Sequence, residues 1–297
     1  MVKKTTPHYW LNLLGAALAA LLLFGLGGSV WFSHRQAYNY LHPPRQPAPS
    51  GEELAQRGIA WQAVELLTAD GLRLAAWYTP PQNGALILVA HGYGDRRSET
   101  FYALFAEHGY GALAWDFRAH GASQGDLSTL GYYEMLDVEA ALDFALAQPG
   151  VERIGGWGGS MGAVTMIRAA AQRPEIEALV ADSPFPSLED ELDWRVPYPL
   201  LNPLIRFFAE RESGLRLDMV RPLDDIARIS PRPVFLIQGL SDRMAPPDSA
   251  QRLYDAAGEP RQLWTEPGVP HLGMYAYYRE RYVRRVIEFF DAYLLDK

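Results

Sequence analysis

Ser160 lies in the pattern Gly158-x-Ser160-x-Gly162, with an apolar run before it and a helix-like run after it. A serine nucleophile must project its hydroxyl from a sharp strand-to-helix turn, and glycines at the flanking positions leave room for the backbone there. A helix that starts directly after Ser160 also aims the N–H of Met161 at the position where an oxyanion forms. The pattern predicts nucleophilic acyl chemistry, provided that a base, an acid and a second oxyanion donor follow other strands.

The other residues that such chemistry needs also follow strand-like runs. A serine nucleophile requires a histidine that takes its proton and a carboxylate that orients the imidazole. Asp242 and His271 each lie in a loop after an apolar run, in the chain order serine, acid, base. Tyr93 follows an earlier run, where its N–H can be the second oxyanion donor while its ring forms a wall. Asp182 also ends a strand-like run and is the competing candidate for the acid.

Several other titratable residues near strand ends have structural interpretations. His91, His108 and His120 precede the candidate acid in the chain, and only His271 follows it. We therefore interpret the three earlier histidines as structural or loop-forming residues. Asp116 is interpreted as holding its own loop together through hydrogen bonds from the backbone.

Apolar runs that alternate with helix-like runs predict the elements that carry these residues. Strands are predicted at 61–68, 72–78, 85–90, 110–114, 151–157, 178–182, 234–239 and 262–265, and helices at 100–108, 132–148, 163–171, 247–257 and 274–294. Asp70-Gly71 between the first two strands is a hairpin signal. The alternation predicts an α/β fold with a mostly parallel central sheet and helices on both faces. Chemistry in such sheets gathers beyond the carboxyl ends of the strands.

Residues 184–230 interrupt this alternation with a stretch rich in proline and aromatic residues. The stretch is too long for a simple loop, and a small helical cap over the site is predicted. Four acidic residues at its start are candidates for binding a substrate amine: Glu189, Asp190, Glu191 and Asp193.

The first 50 residues differ from the rest of the chain. Residues 10–32 are almost entirely apolar, and as a helix they would span about 34 Å, enough to cross about 30 Å of hydrocarbon. They predict a single-pass membrane anchor, followed by a proline-rich linker to a domain at 51–297. Lys3 and Lys4 before the run are nearly balanced by Arg35 and Arg45 after it, and we expect an inside N-terminus and an extracytoplasmic domain. The alternatives are a domain on the cytoplasmic face, or secretion after cleavage of a signal peptide at Gly27-x-Ser29.

Charge and cysteine content exclude several classes of partner and chemistry. All 35 acidic residues follow residue 50, whereas four of the 27 basic residues precede it. The resulting acidic body argues against nucleic acid as a partner. The chain has no cysteine, which excludes disulfides and thiolate chemistry.

These motifs together resemble the α/β-hydrolase superfamily over roughly residues 60–295. The motifs are the oxyanion-loop dipeptide His91-Gly92, the post-strand motif Asp116-x-Arg118-x-His120-Gly121-x-Ser123, the nucleophile elbow Gly158-x-Ser160-x-Gly162, the acid loop Gly239-x-x-Asp242 and the histidine loop Pro270-His271. The sequence is similar to membrane-anchored bacterial members near the serine-aminopeptidase-like and acyl-hydrolase branch. It lacks an HGGG-type glycine run, which argues against the lipase and esterase subgroup with that feature.

The resemblance implies the α/β-hydrolase fold and a serine hydrolase that needs neither a cofactor nor a metal. Ser160, Asp242 and His271 match the family's catalytic triad, and the N–H groups of Tyr93 and Met161 match its oxyanion hole. The predicted substrate is a small acyl compound, a carboxylic ester or thioester with an apolar acyl part. The alternatives are an aminopeptidase-like serine peptidase with the same triad, and a non-catalytic membrane-anchored binding module.

Overall fold

A computed structural model describes residues 7–196 and 198–295; Lys3 and Lys4, used in the orientation prediction, lie outside them. In the described residues one sheet contains eight strands: β1 (Gln62–Leu67), β2 (Arg73–Thr79), β3 (Ala85–Ala90), β4 (Gly111–Trp115), β5 (Arg153–Gly159), β6 (Ile176–Asp182), β7 (Val234–Gly239) and β8 (Arg261–Glu266). Their order across the sheet is β1-β2-β4-β3-β5-β6-β7-β8. Strand β2 is antiparallel to both neighbours, and β3 to β8 are parallel.

Helices cover both faces of the sheet. Their bounds are α1 Pro7–Leu41, α2 Glu52–Gln56, α3 Glu99–Glu107, α4 Glu134–Leu146, α5 Met161–Gln172, α6 Leu188–Arg195, α7 Asn202–Ser213, α8 Pro222–Asp225, α9 Ser249–Ala256, α10 Met274–Tyr277 and α11 Arg279–Phe290. Alternate residues of β3 enter opposite cores: Leu86 and Leu88 pack with α4 and α5, and Ile87 and Val89 with α3 and α11. Strands buried on both faces read as continuous apolar runs, which explains why the sequence predicts them well.

The predicted mostly parallel sheet with helices on both faces is confirmed. Strands β1 and β2 form the predicted hairpin, closed by a hydrogen bond of 2.9 Å from the N–H of Gly71 to the carbonyl of Thr68. The prediction of one continuous helix over 274–294 is wrong. Tyr278, with φ −135° and ψ 42°, leaves the helical region and separates α10 from α11.

The insertion between β6 and β7 consists of the helices α6, α7 and α8, with short 3₁₀ turns at Leu217–Met219 and Ile226–Ile229. Its apolar side chains, among them Leu188, Leu192 and Ile205, join the same core as α4 and α5. The insertion therefore packs as a small helical cap against the core on the α4 and α5 face of the sheet.

Helix α1 is a single helix that is long and apolar enough to cross a membrane. It continues beyond Phe32, where Ser33, Ala37 and Leu41 share one buried face because they are spaced by four residues. The apolar part before Phe32 is exposed. Thus α1 has one segment that only a membrane or a partner would bury and one segment that belongs to the core of the domain.

The segment predicted as a proline-rich linker lies against the domain. The Arg45 guanidinium donates to the carbonyl oxygens of Gly121 and Ser123, the latter at 2.6 Å. The N–H of Ser128 donates to the carbonyl of Leu41 at 2.7 Å. Because these contacts join residues before and after position 51, the boundary of the domain at 51 stays a prediction.

Candidate active site

Ser160 occupies the turn between β5 and α5. Its φ of 53° lies in the left-handed region, which a non-glycine residue adopts only where the surroundings enforce it. The N–H of Ser160 donates to the carbonyl of Asp182 at 2.8 Å. A Cβ on Gly158 would overlap the backbone of Gly162, and a Cβ on Gly162 would overlap the carbonyl group of Ala90. Both glycines are therefore required by close backbone approach.

Replacing Gly162 by alanine is expected to lower the free energy of unfolding by about 2–3 kcal/mol, because the added methyl group meets backbone that cannot rotate away. Gly28→Ala in α1 is the matched control, since nothing lies within 4 Å of its added Cβ. Thermal unfolding in one detergent compares the two variants. Equal melting temperatures would contradict this account of the turn.

The side chains of Ser160, His271 and Asp242 form one hydrogen-bonded chain. His271 Nε2 lies 2.9 Å from Ser160 Oγ, and His271 Nδ1 lies 2.7 Å from Asp242 Oδ2. Asp242 is buried, and its Oδ1 accepts hydrogen bonds from the N–H groups of Met244 at 2.7 Å and Ala245 at 2.9 Å. These bonds fix the carboxylate so that Oδ2 faces the imidazole. The arrangement can move a proton from the serine hydroxyl to His271 and stabilise the resulting imidazolium.

Asp182, the competing acid, makes no hydrogen bond to His271 in the described residues. Its carboxylate accepts from the hydroxyls of Ser183 and Tyr282, both at 2.9 Å. The Ser183 hydroxyl in turn accepts from the N–H of Leu272 at 3.1 Å. Burial raises the pKa of Asp182 to about 6. Asp182 thus supports the histidine loop from behind, whereas Asp242 touches the imidazole.

The two predicted oxyanion donors flank the serine. Met161 begins α5 directly after Ser160, and Tyr93 lines the same cavity as Ser160. Gly92 brings the loop before Tyr93 so close that a Cβ there would lie 3.3 Å from Ser160 Cβ. Within the part of the chain that the structure describes, neither the N–H of Met161 nor that of Tyr93 donates to an acceptor. Both groups are thus available for an oxyanion.

Two buried histidines hold the loops around Tyr93. His91 Nε2 accepts from the N–H of Phe117, and His120 Nε2 accepts from the N–H of Gly94, both at 2.9 Å. Burial lowers the pKa of each imidazole to about 4. Each ring is therefore neutral at pH 7, and its Nε2 lone pair is available to the loop. In the described residues neither ring forms a hydrogen bond to Ser160, in agreement with the structural interpretation.

Acid is expected to destabilise the protein through these rings. Between pH 6.5 and 4 the unfolded chain binds protons at His91 and His120 that the folded chain does not, so the free energy of unfolding falls as the pH is lowered. One imidazole with such a shift contributes up to about 3 kcal/mol. Urea unfolding at pH 7 and 4.5 should show a smaller fall for His120→Gln than for the unsubstituted chain. The exposed His108→Gln is the control, and equal falls in both variants would contradict the assignment.

Asp116 holds its loop together, as predicted. The sequence did not indicate that Arg97 is its main partner. The buried carboxylate accepts from the N–H groups of Arg97 at 2.7 Å and Ala122 at 2.8 Å. It also forms a buried ion pair with the Arg97 guanidinium. Asp116 therefore fixes the strand end beside the oxyanion loop.

A cavity of about 120 Å³ lies against Ser160. It is lined by Gly92, Tyr93, Asp95, Ser160, Phe185, Glu191, Arg195, Met244, Ala245, His271 and Leu272. On the cap side Arg195 donates to Glu191 at 3.0 Å, and the hydroxyl of Tyr40 donates to the same carboxylate at 3.3 Å. Burial raises the pKa of Glu191. The end of α1 thus contributes to a polar cluster at the wall of the cavity.

Sequence reasoning does not identify Arg195 or Tyr40 as residues of this wall. The i, i+4 spacing of Glu191 and Arg195 is the signal that predicts their pairing. Tyr40 is 151 positions from Glu191 in the chain, and no local pattern connects the two. Only the packing of α1 against the cap brings them together.

The other three acidic candidates of the cap form ion pairs and do not line the cavity. Glu189 pairs with Arg206 at 2.7 Å, and Asp193 pairs with the same guanidinium at 3.3 Å. Asp190 pairs with Arg252 at 3.1 Å. Of the four acids, Glu191 is the one that can contact a substrate beside Ser160.

The chain is similar to known proteins both in sequence and in structure. A sequence profile described as "Serine aminopeptidase, S33" matches residues 81–225. Protein Rv2307c of Mycobacterium tuberculosis is 34% identical over 262 residues, covering 86% of each chain. The "Alpha/beta hydrolase domain-containing protein WAV2" of Arabidopsis thaliana is 26% identical over 263 residues, covering 82% of each chain. The esterase Pf2001 of Pyrococcus furiosus has a TM-score of 0.73 at 29% identity, covering 86% of this chain and 99% of that chain.

Proposed function

Since the chain belongs to the α/β-hydrolase family, we propose that it is a serine hydrolase that cleaves carboxylic esters or thioesters with an apolar acyl part. The observation that supports this most is the chain of hydrogen bonds from Ser160 Oγ through His271 to Asp242, at 2.9 and 2.7 Å. The similarity to an esterase of known structure supports the choice of ester over other acyl compounds.

In the proposed mechanism Ser160 Oγ attacks the acyl carbonyl while His271 Nε2 takes its proton. Asp242 stabilises the imidazolium through Nδ1–H, and the N–H groups of Met161 and Tyr93 stabilise the oxyanion of the tetrahedral intermediate. The intermediate collapses as His271 gives the proton to the departing alcohol or thiol, which leaves an acyl-enzyme on Ser160. A water molecule, deprotonated by His271, then hydrolyses the acyl-enzyme and restores the serine.

Labelling of the full-length protein with a fluorophosphonate probe tests the proposed nucleophile. The expected result is one covalent adduct, mapped to Ser160 by mass spectrometry, and its loss in Ser160→Ala. His271→Ala should slow labelling strongly because the hydroxyl loses its base. Folded protein that forms no adduct at Ser160 would favour the non-catalytic binding module.

An aminopeptidase-like activity on the same residues is the second candidate. The similarity of residues 81–225 to the serine aminopeptidase profile favours it. The position of Glu191 also favours it, because this cap carboxylate beside Ser160 could bind a substrate ammonium. The pairing of Glu191 with Arg195 offsets its charge and favours the ester. Comparing kcat/KM for an acyl ester and an aminoacyl amide separates the two. Faster amide cleavage that is lost in Glu191→Gln would reverse the preference.

We also propose that residues 10–32 anchor the chain in a membrane, with the N-terminus inside and the hydrolase domain on the extracytoplasmic side. The support is the length, composition and exposure of this part of α1. The absence of native cysteine allows a test with single cysteines on the domain surface and a membrane-impermeant thiol reagent applied to intact cells. Labelling only after lysis would place the domain on the cytoplasmic face. A mature N-terminus beyond Ser29 would show signal cleavage.

A further inference from the structure

The cap exposes large apolar side chains on the side where α1 leaves the domain. Tyr198 is 48% exposed, Leu200 94% and Phe207 53%. We call these three residues the cap face. The backbone carbonyl of Tyr198 accepts hydrogen bonds from the N–H groups of Leu201 and Asn202, so Leu200 lies at the tip of a tight turn before α7. Exposed patches of large apolar residues mark sites that contact a membrane, another protein or a ligand.

The cap face lies at the level where the apolar run of α1 ends. The rings of Phe32 and Tyr198 are in edge contact at 5.4 Å, and those of His34 and Phe208 are in contact at 5.2 Å. Farther along both helices, His42 lies 3.8 Å from Glu212. Helix α7 therefore runs in the same direction as α1.

Because α7 runs parallel to α1, each residue of α7 can be placed by its distance from the apolar part of α1. Ten residues of helix separate Phe32 from His42, which corresponds to about 15 Å. The turn before α7 carries Tyr198 and Leu200, and the middle of the helix carries Phe207, whereas the last turn carries the charged residues Glu210, Arg211 and Glu212. An apolar end near the anchor and a charged end away from it match the polarity gradient across a membrane surface.

We propose that the cap face inserts into the interfacial layer of the bilayer that holds α1, and that the active site takes its acyl substrates from this bilayer. The inference rests on the proposed function and names its substrate class: an amphiphilic ester whose acyl chain is dissolved in lipid. Continuity with the apolar surface of α1 identifies lipid as the occupant, because the two surfaces meet at the Phe32–Tyr198 contact. Aromatic side chains such as Tyr198 and Phe207 are suited to this layer.

The distance of the active site from the bilayer is compatible with a substrate that comes from the bilayer. Tyr40, which donates to Glu191 at the cavity wall, lies eight residues after Phe32, or about 12 Å along the helix axis. The polar layer on each side of the hydrocarbon is about 5–8 Å thick. The cavity wall therefore stands just outside the headgroups, where an ester whose acyl chain is still partly in the bilayer can reach it.

Fluorescent labelling tests the insertion directly because the chain contains no cysteine. Leu200→Cys in the full-length chain is labelled with an environment-sensitive dye and placed in nanodiscs that hold one chain each. Leu146→Cys is the matched control; Leu146 is 46% exposed at the end of α4, opposite the carboxyl ends of the strands. A quencher carried on lipid is expected to quench the dye at 200 at least several-fold more than the dye at 146.

Two results would overturn the insertion. One is quenching at 200 that is no stronger than at 146. The other is a dye at 200 that is shielded from water in vesicles holding several chains yet is not quenched by the lipid, since a second copy of the chain would then cover the cap face. Neither result affects fluorophosphonate labelling of Ser160, which tests the proposed function separately.

A kinetic comparison tests the source of the substrate. The ratio of turnover of a vesicle-embedded long-chain ester to turnover of a water-soluble short-chain ester is measured for Leu200→Ser/Phe207→Ser. Relative to the unsubstituted chain, this ratio is expected to fall about tenfold or more, because two side chains lose contact with lipid. Leu146→Ser should keep the ratio. An unchanged ratio in the double variant would overturn delivery from the bilayer.

Discussion

Replacing Ser160 by alanine is expected to lower the turnover of an acyl ester by about four orders of magnitude or more, because the substitution removes the proposed nucleophile. What activity persists would come from the oxyanion donors and from substrate binding. Steady-state kinetics on the detergent-solubilised protein measures the loss, and fluorophosphonate labelling should disappear with it. The melting temperature should change little, since the Ser160 hydroxyl bonds only to His271 among the described residues.

His271→Ala is a useful companion to this substitution. If both side chains act as one unit, the double variant loses no more activity than either single variant. Additive losses, or a Ser160→Ala variant that retains more than about one hundredth of the activity, would show that Ser160 is not the nucleophile.

Asp242→Asn is expected to lower turnover by about 10⁴-fold, because an amide no longer enforces the imidazole tautomer that accepts the serine proton. Asp182→Asn should lower it by less than about tenfold, since among the described residues the Asp182 carboxylate reaches the histidine loop through the Ser183 hydroxyl and the N–H of Leu272 and does not bond to the imidazole. The two buried carboxylates make a closely matched pair for kinetic comparison.

The ranking of these two variants decides which carboxylate is the acid. Equal melting temperatures would show that the kinetic difference does not arise from misfolding. A larger loss in Asp182→Asn than in Asp242→Asn would assign the role to Asp182.

The sequence predicts most of the sheet because the strands at its centre are buried on both faces. Strands such as β3 and β7 are entirely buried, and their runs of apolar residues are distinct from the surrounding helical patterns. The candidate site follows from the same physics, since parallel strands bring their carboxyl ends to one edge. Ser160, Asp242 and His271 follow the parallel strands β5, β7 and β8, so their proximity could be expected, although the choice of Asp242 over Asp182 rested on the family resemblance.

The cap and the N-terminal segment were less predictable because their contacts are distant in the chain. Residues 41–50 are predicted to form an extended, semi-stiff spacer because they are rich in proline. In the structure the Arg45 guanidinium donates to backbone carbonyl groups. Every residue has such a carbonyl, so the sequence does not indicate which of them Arg45 contacts. The break at Tyr278 was likewise not predictable, because the helical pattern in the sequence continues on both sides of it.

The buried face at Ser33, Ala37 and Leu41 determines where the chain can be cut to remove the proposed membrane anchor. A chain trimmed to start at Gly51 would lose these residues and leave a hollow beside the cap, with the Glu191–Arg195 pair stripped of Tyr40. A chain that starts near Val30 would instead lose the exposed apolar part of α1 and keep the part whose side chains are buried in the domain. Recombinant versions intended for aqueous work are therefore best begun at that point.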